Sequence, residues 1–316
     1  MIKTALKGAA MGIAEVIPGV SGGTIAFITG IYERLIKALG NIPKALPFLL
    51  KGNFKDFGAT IDFFFLLKLG IGMVAGIGIG VVGVTKIMES NPIVLWAFFF
   101  GLIAASILYL ARQVKWNLPA GIAILCGIAI GLVFTMTSAL EGSDSYLYIF
   151  FCGVIAISAL ILPGISGSFL LLILGMYHRI IPEIKILAQS PNNKSLFTLL
   201  AFGCGAVIGI FSFAKLVGYA FDKWKNTTIS LMVGLMAGSL PKIWPWQQVM
   251  QMRINSKGEE VVAFTKAVGP TTFSELSNNY TYGNDPQMGL VIGLFLIGFI
   301  GILAFDLWEK KQSKLA

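Results

Sequence analysis

The sequence predicts an all-α polytopic membrane protein built as an inverted repeat, each half a broken, re-entrant helical hairpin followed by three transmembrane helices. Three observations carry this. The 316 residues are 56% hydrophobic and only 12% charged, with a mean hydropathy of +0.82, a membrane composition rather than a soluble one. One turn occurs twice within apolar stretches, as Pro18-Gly19-Val20-Ser21-Gly22-Gly23 and Pro163-Gly164-Ile165-Ser166-Gly167-Ser168. The register holds around it: Gly8, Gly30, Tyr32 and Arg34 match Gly153, Gly175, Tyr177 and Arg179 at one spacing of 145. Proline and glycine break helices. A broken helix in a bilayer is tolerated only where the freed backbone lines a cavity or is buried in protein. Paired breaks in two halves point to a transporter's binding site.

The first element, residues 4–38, is a hairpin broken by the turn. Its arms of roughly 14–18 residues fall short of the ~20 that a crossing needs, so it dips into the membrane and returns. The alternative is a pair of short or tilted spanning helices. Residues 41–58 mix Leu46, Phe48, Leu49, Phe54 and Phe57 with Lys44, Lys51 and Lys55, which suits the inner interface. Spanning helices follow at 63–85, 93–111 and 119–138 and complete the first repeat, 1–145. The second repeat, 146–316, opens with the broken segment 146–181 and continues with helices 196–221, 228–245 and 287–308. Its polar stretch 246–286 has no repeat partner and reads as an external loop or small lid, with Trp244 and Trp246 at an interfacial belt.

The repeat extends past the hairpins. Leu66, Leu67, Gly70, Gly72 and Gly76 match Leu199, Leu200, Gly203, Gly205 and Gly209. Gly101-Leu102-Ile103-Ala104-Ala105-Ser106 matches Gly234-Leu235-Met236-Ala237-Gly238-Ser239 in the same register. Three crossings per half invert the second half. With both termini cytoplasmic, the inner parts carry Lys3, Lys7, Arg34, Lys37, Lys44, Lys51, Lys55, Arg112, Lys115, Lys223, Lys225, Lys310, Lys311 and Lys314. The outer parts hold Glu89, Glu141, Asp144, Glu183, Glu259, Glu260, Glu275 and Asp285, in keeping with the positive-inside rule. This charge pattern also fits hairpins that cross twice.

Composition excludes several classes. The net charge of +9 reflects inner loops facing anionic lipid, not nucleic-acid binding. Cys126, Cys152 and Cys204 lie in apolar segments with no metal-ligand or disulfide spacing, and His178 is the one histidine, so neither a metal nor a cofactor is expected. The apolar run 8–14 is short and followed by Glu15, and reads as mature protein rather than a signal peptide.

The turns supply the candidate site. A helix restarting at Ser21 or Ser166 offers backbone N–H groups, with small or hydroxyl residues beside them: Gly22, Gly23 and Thr24 in one copy, Gly167 and Ser168 in the other. Two inverted hairpins would aim both sets at one point, an anion site suited to phosphate; the plain alternative is close helix packing. Arg34 and Arg179 follow the serines by 13 residues. On continuous helices they stand about 20 Å from the tips, at opposite mouths, as phosphate forks or lipid anchors, and a bend at Gly30 or Gly175 would bring them closer. Glu15, three residues before Pro18, is matched by Leu160. A carboxylate beside an arriving anion must be neutralised or paired, so Glu15 is either a proton-coupling group or a structural partner for a lysine or for the turn's N–H groups. Lys68 and Lys215 lie within apolar segments and either line the path or snorkel; His178 sits at a mouth.

The stretches KGAAMGIAEVIPGVSGGTIAFITGIYERLI, LILPGISGSFLLLILGMYHRII, FFFGLIAASI and GLMAGSLPKIWPW resemble a bacterial membrane family once known as a domain of unknown function, the polyprenyl-phosphate transporters. The resemblance covers nearly the whole chain except 247–286. It implies a transporter of the bacterial cytoplasmic (inner) membrane that returns undecaprenyl phosphate, the carrier lipid of cell-wall synthesis, to the inner leaflet. The two turns, Glu15, Arg34 and Arg179 carry over. The residues alone reach an inverted-repeat transporter with a central anion site. They leave open a channel or exchanger for small inorganic anions and, more remotely, an intramembrane lipid pyrophosphate phosphatase, which would need a nucleophile with acid–base partners near the turn.

Overall fold

The structure, a computed structural model, describes residues 2–17, 20–137, 140–189, 192–254, 260–276 and 285–313; at some of these only the backbone is described. The helices are α1 (Ile2–Val16), α2 (Gly22–Ile28), α3 (Tyr32–Leu50), α4 (Phe54–Thr60), α5 (Phe63–Ser90), α6 (Pro92–Ala111), α7 (Leu118–Met136), α8 (Tyr146–Ile161), α9 (Gly167–Ile173), α10 (Tyr177–Gln189), α11 (Asn193–Ser239), α12 (Pro270–Glu275) and α13 (Met288–Ser313). A 3₁₀ turn, Leu240–Ile243, follows α11 and leads to the strands β1 (Gln247–Ile254) and β2 (Glu260–Ala267).

Among the described residues, four stretches are long and apolar enough to cross a membrane: Phe63–Val84, Pro92–Ala111, Leu118–Met136 and Asn193–Ile243. The last covers the predicted span 196–221 and most of 228–245, two helices that meet at a kink at Trp224 (φ −135°, ψ 50°). Thr228 Oγ1 fills the gap by donating to the carbonyls of Ala220 and Trp224, both at 3.0 Å. The predicted span 287–308 corresponds to the apolar stretch Met288–Ala304 of α13.

Each broken segment has three pieces rather than two arms. The long arm ends, a seven-residue helix runs back along it, and a new helix starts after a glycine. In the first copy Gly22 lies against Met11 and Glu15, and Lys7 Nζ donates to the Thr29 carbonyl. In the second, Gly167 lies against Ala156 and Leu160, and Tyr148 Oη donates to the Leu174 carbonyl at 2.9 Å. The glycines explain the second break. Gly30 (φ +70°) donates to Phe27 O while Ile31 donates to Ala26 O, and Gly175 (φ +68°) donates to Leu172 O while Met176 donates to Leu171 O. Both are the paired bonds of a Schellman cap, which needs a left-handed residue after the helix. Of the two readings, a continuous helix from each serine to its arginine or a bend at Gly30 or Gly175, the chain takes the bend.

The chain forms two compact units, which divide within α5 and α11: Met1–Val82 with Thr137–Thr228, and Gly83–Met136 with Ile229–Ala316. Each draws on both sequence halves. In the first unit α1 crosses α5 with almost no gap. Ideal Cβ atoms on Gly72 and Gly76 would fall 2.0 Å from Ala5 O and Ala9 O, and one on Gly8 would fall 2.2 Å from Leu69 O. α8 crosses α11 through the repeat-equivalent residues: Gly205 on Phe150 O, Gly209 on Val154 O, and Gly153 on Phe202 O. Ile149, Cys152, Ala156, Leu171, Met176 and Ile180 form the core around the second broken segment.

In the second unit the helices exchange partners between halves. Gly101 of α6 meets Phe295 O of α13, and Gly298 meets Phe98 O. Gly234 of α11 meets Ile124 O of α7, and Gly127 meets Leu231 O. The chain is overwhelmingly helical, and the described part of 246–286 adds one β-hairpin and the short helix α12. β1 and β2 pair antiparallel from Gln247↔Ala267 to Ile254↔Glu260. Trp246 and Phe273 are buried with Ile93, Ala97 and Val291.

Candidate functional site

The first unit brings the two interrupted turns together. Ser21 lies just before α2, with extended backbone (φ −120°, ψ 137°), so its side chain can turn back onto the helix start. Its Oγ accepts from the Gly23 N–H at 3.1 Å and faces the carbonyls of Leu160 and Leu162, at 3.2 and 3.4 Å, where α8 ends. Thr24 Oγ1 accepts from the Gly164 N–H at 2.8 Å. Gly164 takes φ +88°, the left-handed region that glycine enters at no steric cost. A Cβ on Gly23 would fall 2.5 Å from Ile161 O, so a side chain there would force the turns apart. Ser21 and Thr24 have no exposed surface, and Ser166 is 3% exposed.

Glu15 stands at the same place. Its Oε1 accepts from the Gly22 N–H at 2.6 Å. The start of α2 is thus occupied by the chain's own carboxylate, the turn-partner arrangement expected as one of its two roles. The second copy differs. Leu160 replaces the acid, Ser166 makes no capping bond, and its hydroxyl pairs with that of Ser168 at 2.8 Å. Ser168 is exposed. The helices that restart at the serines are only seven residues long, so their amides and hydroxyls, rather than a long macrodipole, are what the turns offer. Pro18 and Gly19 lie outside the described residues, as does the His178 side chain.

The arginines stand away from this cluster, each held by an aspartate. Arg34 Nε binds Asp62 Oδ2 at 2.6 Å, and its guanidinium lies 4.3 Å from the Phe65 ring centroid. It lines a cavity of about 450 Å³ with Gly30, Glu33, Lys37, Asn41, Thr60 and Asp62. Arg179 pairs with Asp144, and its Nε is buried without a hydrogen-bond partner. Beside Arg34, Glu33 accepts from Lys225 at 2.7 Å and Lys37 at 3.1 Å, while Lys37 also reaches Asp222 at 2.8 Å. Lys215 is exposed and Lys68 half-buried, 6.0 Å from the Phe64 ring.

Asp62 as an arginine partner was not foreseen; with Asp56 it is one of two acids in an otherwise basic inner stretch. Asp144 was read only as an outer charge, and Lys7 only as an inner one, although Lys7 bridges the hairpin. No group of three or more His, Cys, Asp or Glu among the described residues has metal-site geometry.

Comparison with known proteins gives a consistent answer. The family model described as undecaprenyl phosphate translocase-like matches residues 11–261. A protein of Vibrio cholerae serotype O1 named polyprenyl-phosphate transporter is 37% identical over 312 residues, covering 98% of this chain and 97% of that protein. One of Staphylococcus aureus with the same name is 32% identical over 253 residues, 76% of this chain and 85% of that protein. No solved structure matches the chain.

Proposed function

The chain belongs to the undecaprenyl phosphate translocase-like family, and from that premise we propose that it carries undecaprenyl phosphate across the bacterial cytoplasmic membrane for reuse in envelope synthesis. The phosphate head passes through the first unit while the prenyl tail stays in lipid. The observation that carries this reading is the junction of the two turns, where Ser21 and Thr24 of one reach Leu160, Leu162 and Gly164 of the other. The junction is closed as described. A phosphate enters only by replacing these bonds, and it brings acceptors to the same amides and hydroxyls. Glu15 supports this reading, since a carboxyl oxygen already accepts from the Gly22 N–H. Ser166, Gly167, Ser168 and Gly23 complete the seat; Arg34 and Arg179 hand the head on at either end by exchanging a carboxylate for a phosphate.

Both termini are cytoplasmic, and the broken segments are re-entrant halves of an inverted repeat. Support comes from the repeat-equivalent glycine contacts of α1 on α5 and α8 on α11, and from the partner exchange in the second unit. A carrier is favoured over a phosphatase because Ser21 Oγ faces main-chain carbonyls and Ser166 pairs with Ser168, so neither hydroxyl meets a base.

The test is reconstitution. Proteoliposomes loaded with undecaprenyl phosphate are exposed to an external phosphatase, and the lipid it reaches is followed in time. The protein is expected to convert a protected inner-leaflet pool into an accessible one. A rate equal to that of empty liposomes refutes the proposal.

A further inference from the structure

The last turns of α3 and the short α4 expose large apolar side chains beside lysines. Leu46, Phe48, Leu50 and Phe54 are all exposed, Leu50 to 87% and Phe54 to 71%. Lys44, Lys51 and Lys55 are exposed as well, and among the described residues none of the three pairs with an acid. We propose that this segment, residues 43–57, is a binding surface for anionic phospholipid of the cytoplasmic leaflet. Its apolar side chains enter the acyl region, and its lysines hold the lipid phosphates.

The arrangement follows from the helical period. Ala38 and Ala45, seven residues apart, are buried and mark the side of α3 that faces protein. At 3.6 residues per turn, Lys44 and Lys51 fall about 100° to one side of that line, and Leu46 and Leu50 fall to the other. A helix with basic and apolar stripes of this kind lies in the plane of the interface. The prolines fix the depth. Pro43 and Pro47 stand inside α3 and lack the N–H groups that would bond the carbonyls of Leu39 and Pro43. Water in a headgroup layer supplies such donors, and hydrocarbon does not. The nearby acids are engaged elsewhere: Glu33 and Asp222 with Lys37, Asp62 with Arg34, and Asp56 with Asn53 Nδ2 at 2.6 Å. Within 43–57, Asp56 stands against three lysines, so the surface is net positive and complements an anionic leaflet. Lipid is favoured over a partner protein because both ends of the segment lead into the bilayer elements. Tyr32 and Ile36 at the start of α3 are buried, and α5, long and apolar enough to span, begins at Phe63. The choice of leaflet rests on the proposed orientation; the choice of lipid does not.

The experiment uses the full chain in nanodiscs that mix phosphatidylcholine with phosphatidylglycerol. Leu50→Cys, in a background free of the exposed Cys126 and Cys204, carries a fluorophore. Quenching is compared when the bromine-labelled acyl chains belong to one lipid or to the other. Brominated lipid should quench the label and aqueous acrylamide should not. Phosphatidylglycerol should quench more than phosphatidylcholine, by about fivefold in local enrichment for a headgroup held by one lysine. Lys44→Gln/Lys51→Gln/Lys55→Gln should make the two lipids equal, and the same three positions changed to Arg should keep the preference. Quenching by acrylamide alone overturns the contact with lipid. Equal quenching by the two lipids in wild type, or an undiminished preference in the Gln variant, overturns the anionic assignment. Absent transport in proteoliposomes with the quenching pattern intact would instead count against the proposed function.

Discussion

Thr24→Val isolates the bond between the two turns. The substitution keeps the shape of the side chain and replaces the one group that accepts the Gly164 N–H, at 2.8 Å. Thr24 is fully buried, so water cannot take over at once. A buried N–H left without an acceptor costs about 1–3 kcal/mol, which weights the closed junction against its opened form by roughly five- to 150-fold. Hydrogen exchange followed by mass spectrometry reads this directly. Peptides covering Gly164 should exchange faster by that factor in Thr24→Val, while those from α6 and α13 stay unchanged. Thr24→Ser loses a methyl but keeps the oxygen, so its Gly164 amide should remain protected. Transport should fall in the valine variant and persist in the serine one, because the hydroxyl is also a phosphate partner in the proposed seat. Equal exchange at Gly164 in Thr24→Val and wild type would show that the turns are held together by something else.

Gly72→Ala and Gly205→Ala each put a methyl about 2.0 Å from a carbonyl oxygen, and both should lower the unfolding midpoint by an amount worth about 1–3 kcal/mol; a neutral result at either contradicts the tight crossing. Arg34→Lys and Arg179→Lys keep the charge but lose the planar fork, so transport should drop in both, with Arg34→Lys slower to release the lipid inside and Arg179→Lys slower to capture it outside. Wild-type rates would reduce the arginines to partners of Asp62 and Asp144. In a background free of the exposed Cys126 and Cys204, Ser143→Cys should be labelled by an impermeant thiol reagent from outside only, and labelling from inside alone would reverse the topology. Glu15→Gln still offers an oxygen to Gly22 but no charge; it should bind lipid phosphate at least as well as wild type and lose any response to a pH gradient, and an undiminished response excludes proton coupling through this residue.

What could be read from the sequence is set by how local each feature is. The turns were legible because Pro-Gly-x-Ser-Gly interrupts an apolar run twice in one register. Gly30 and Gly175 were visible as repeat partners, but their role as Schellman caps requires φ near +70°, which letters do not carry. The glycines of α5 and α11 were expected to pack helices, and they do, against α1 and α8. The exchange of partners between halves, α6 with α13 and α7 with α11, was not legible, because each helix alone only says that it is apolar on several sides. The β-hairpin was missed because 246–286 was read as one polar stretch, although Met252 and Ile254 alternate with Gln251 and Arg253 and β2 carries Val261, Val262 and Phe264. At the site, the hydroxyls and glycines were found by spacing. The aspartates that hold the arginines were not, since Asp62 and Asp144 are distant in sequence from Arg34 and Arg179.

The packing is symmetric where the chemistry is not, and that difference bears on how such a carrier works. Equivalent glycines make equivalent crossings in the two halves, so opening toward one face or the other meets similar resistance from the scaffold. The ends of the path are distinguished by a few side chains. The first turn carries its own carboxyl group, Glu15 on Gly22, and a capping serine; the second has Leu160 and an uncapped Ser166 beside the exposed Ser168. Among the described residues, the ion-pair cluster of Glu33, Lys37, Asp222 and Lys225 likewise has no equivalent after the second turn, where Pro182 stands in the place of Lys37. In the proposed seat, a phosphate at the second turn would meet hydroxyls without a competing carboxylate, whereas at the first it would have to displace or neutralise one. Equal barriers with unequal seats give a preferred direction only when the carboxylate's charge can change during the cycle, and this is why the Glu15→Gln variant separates a driven carrier from a passive one.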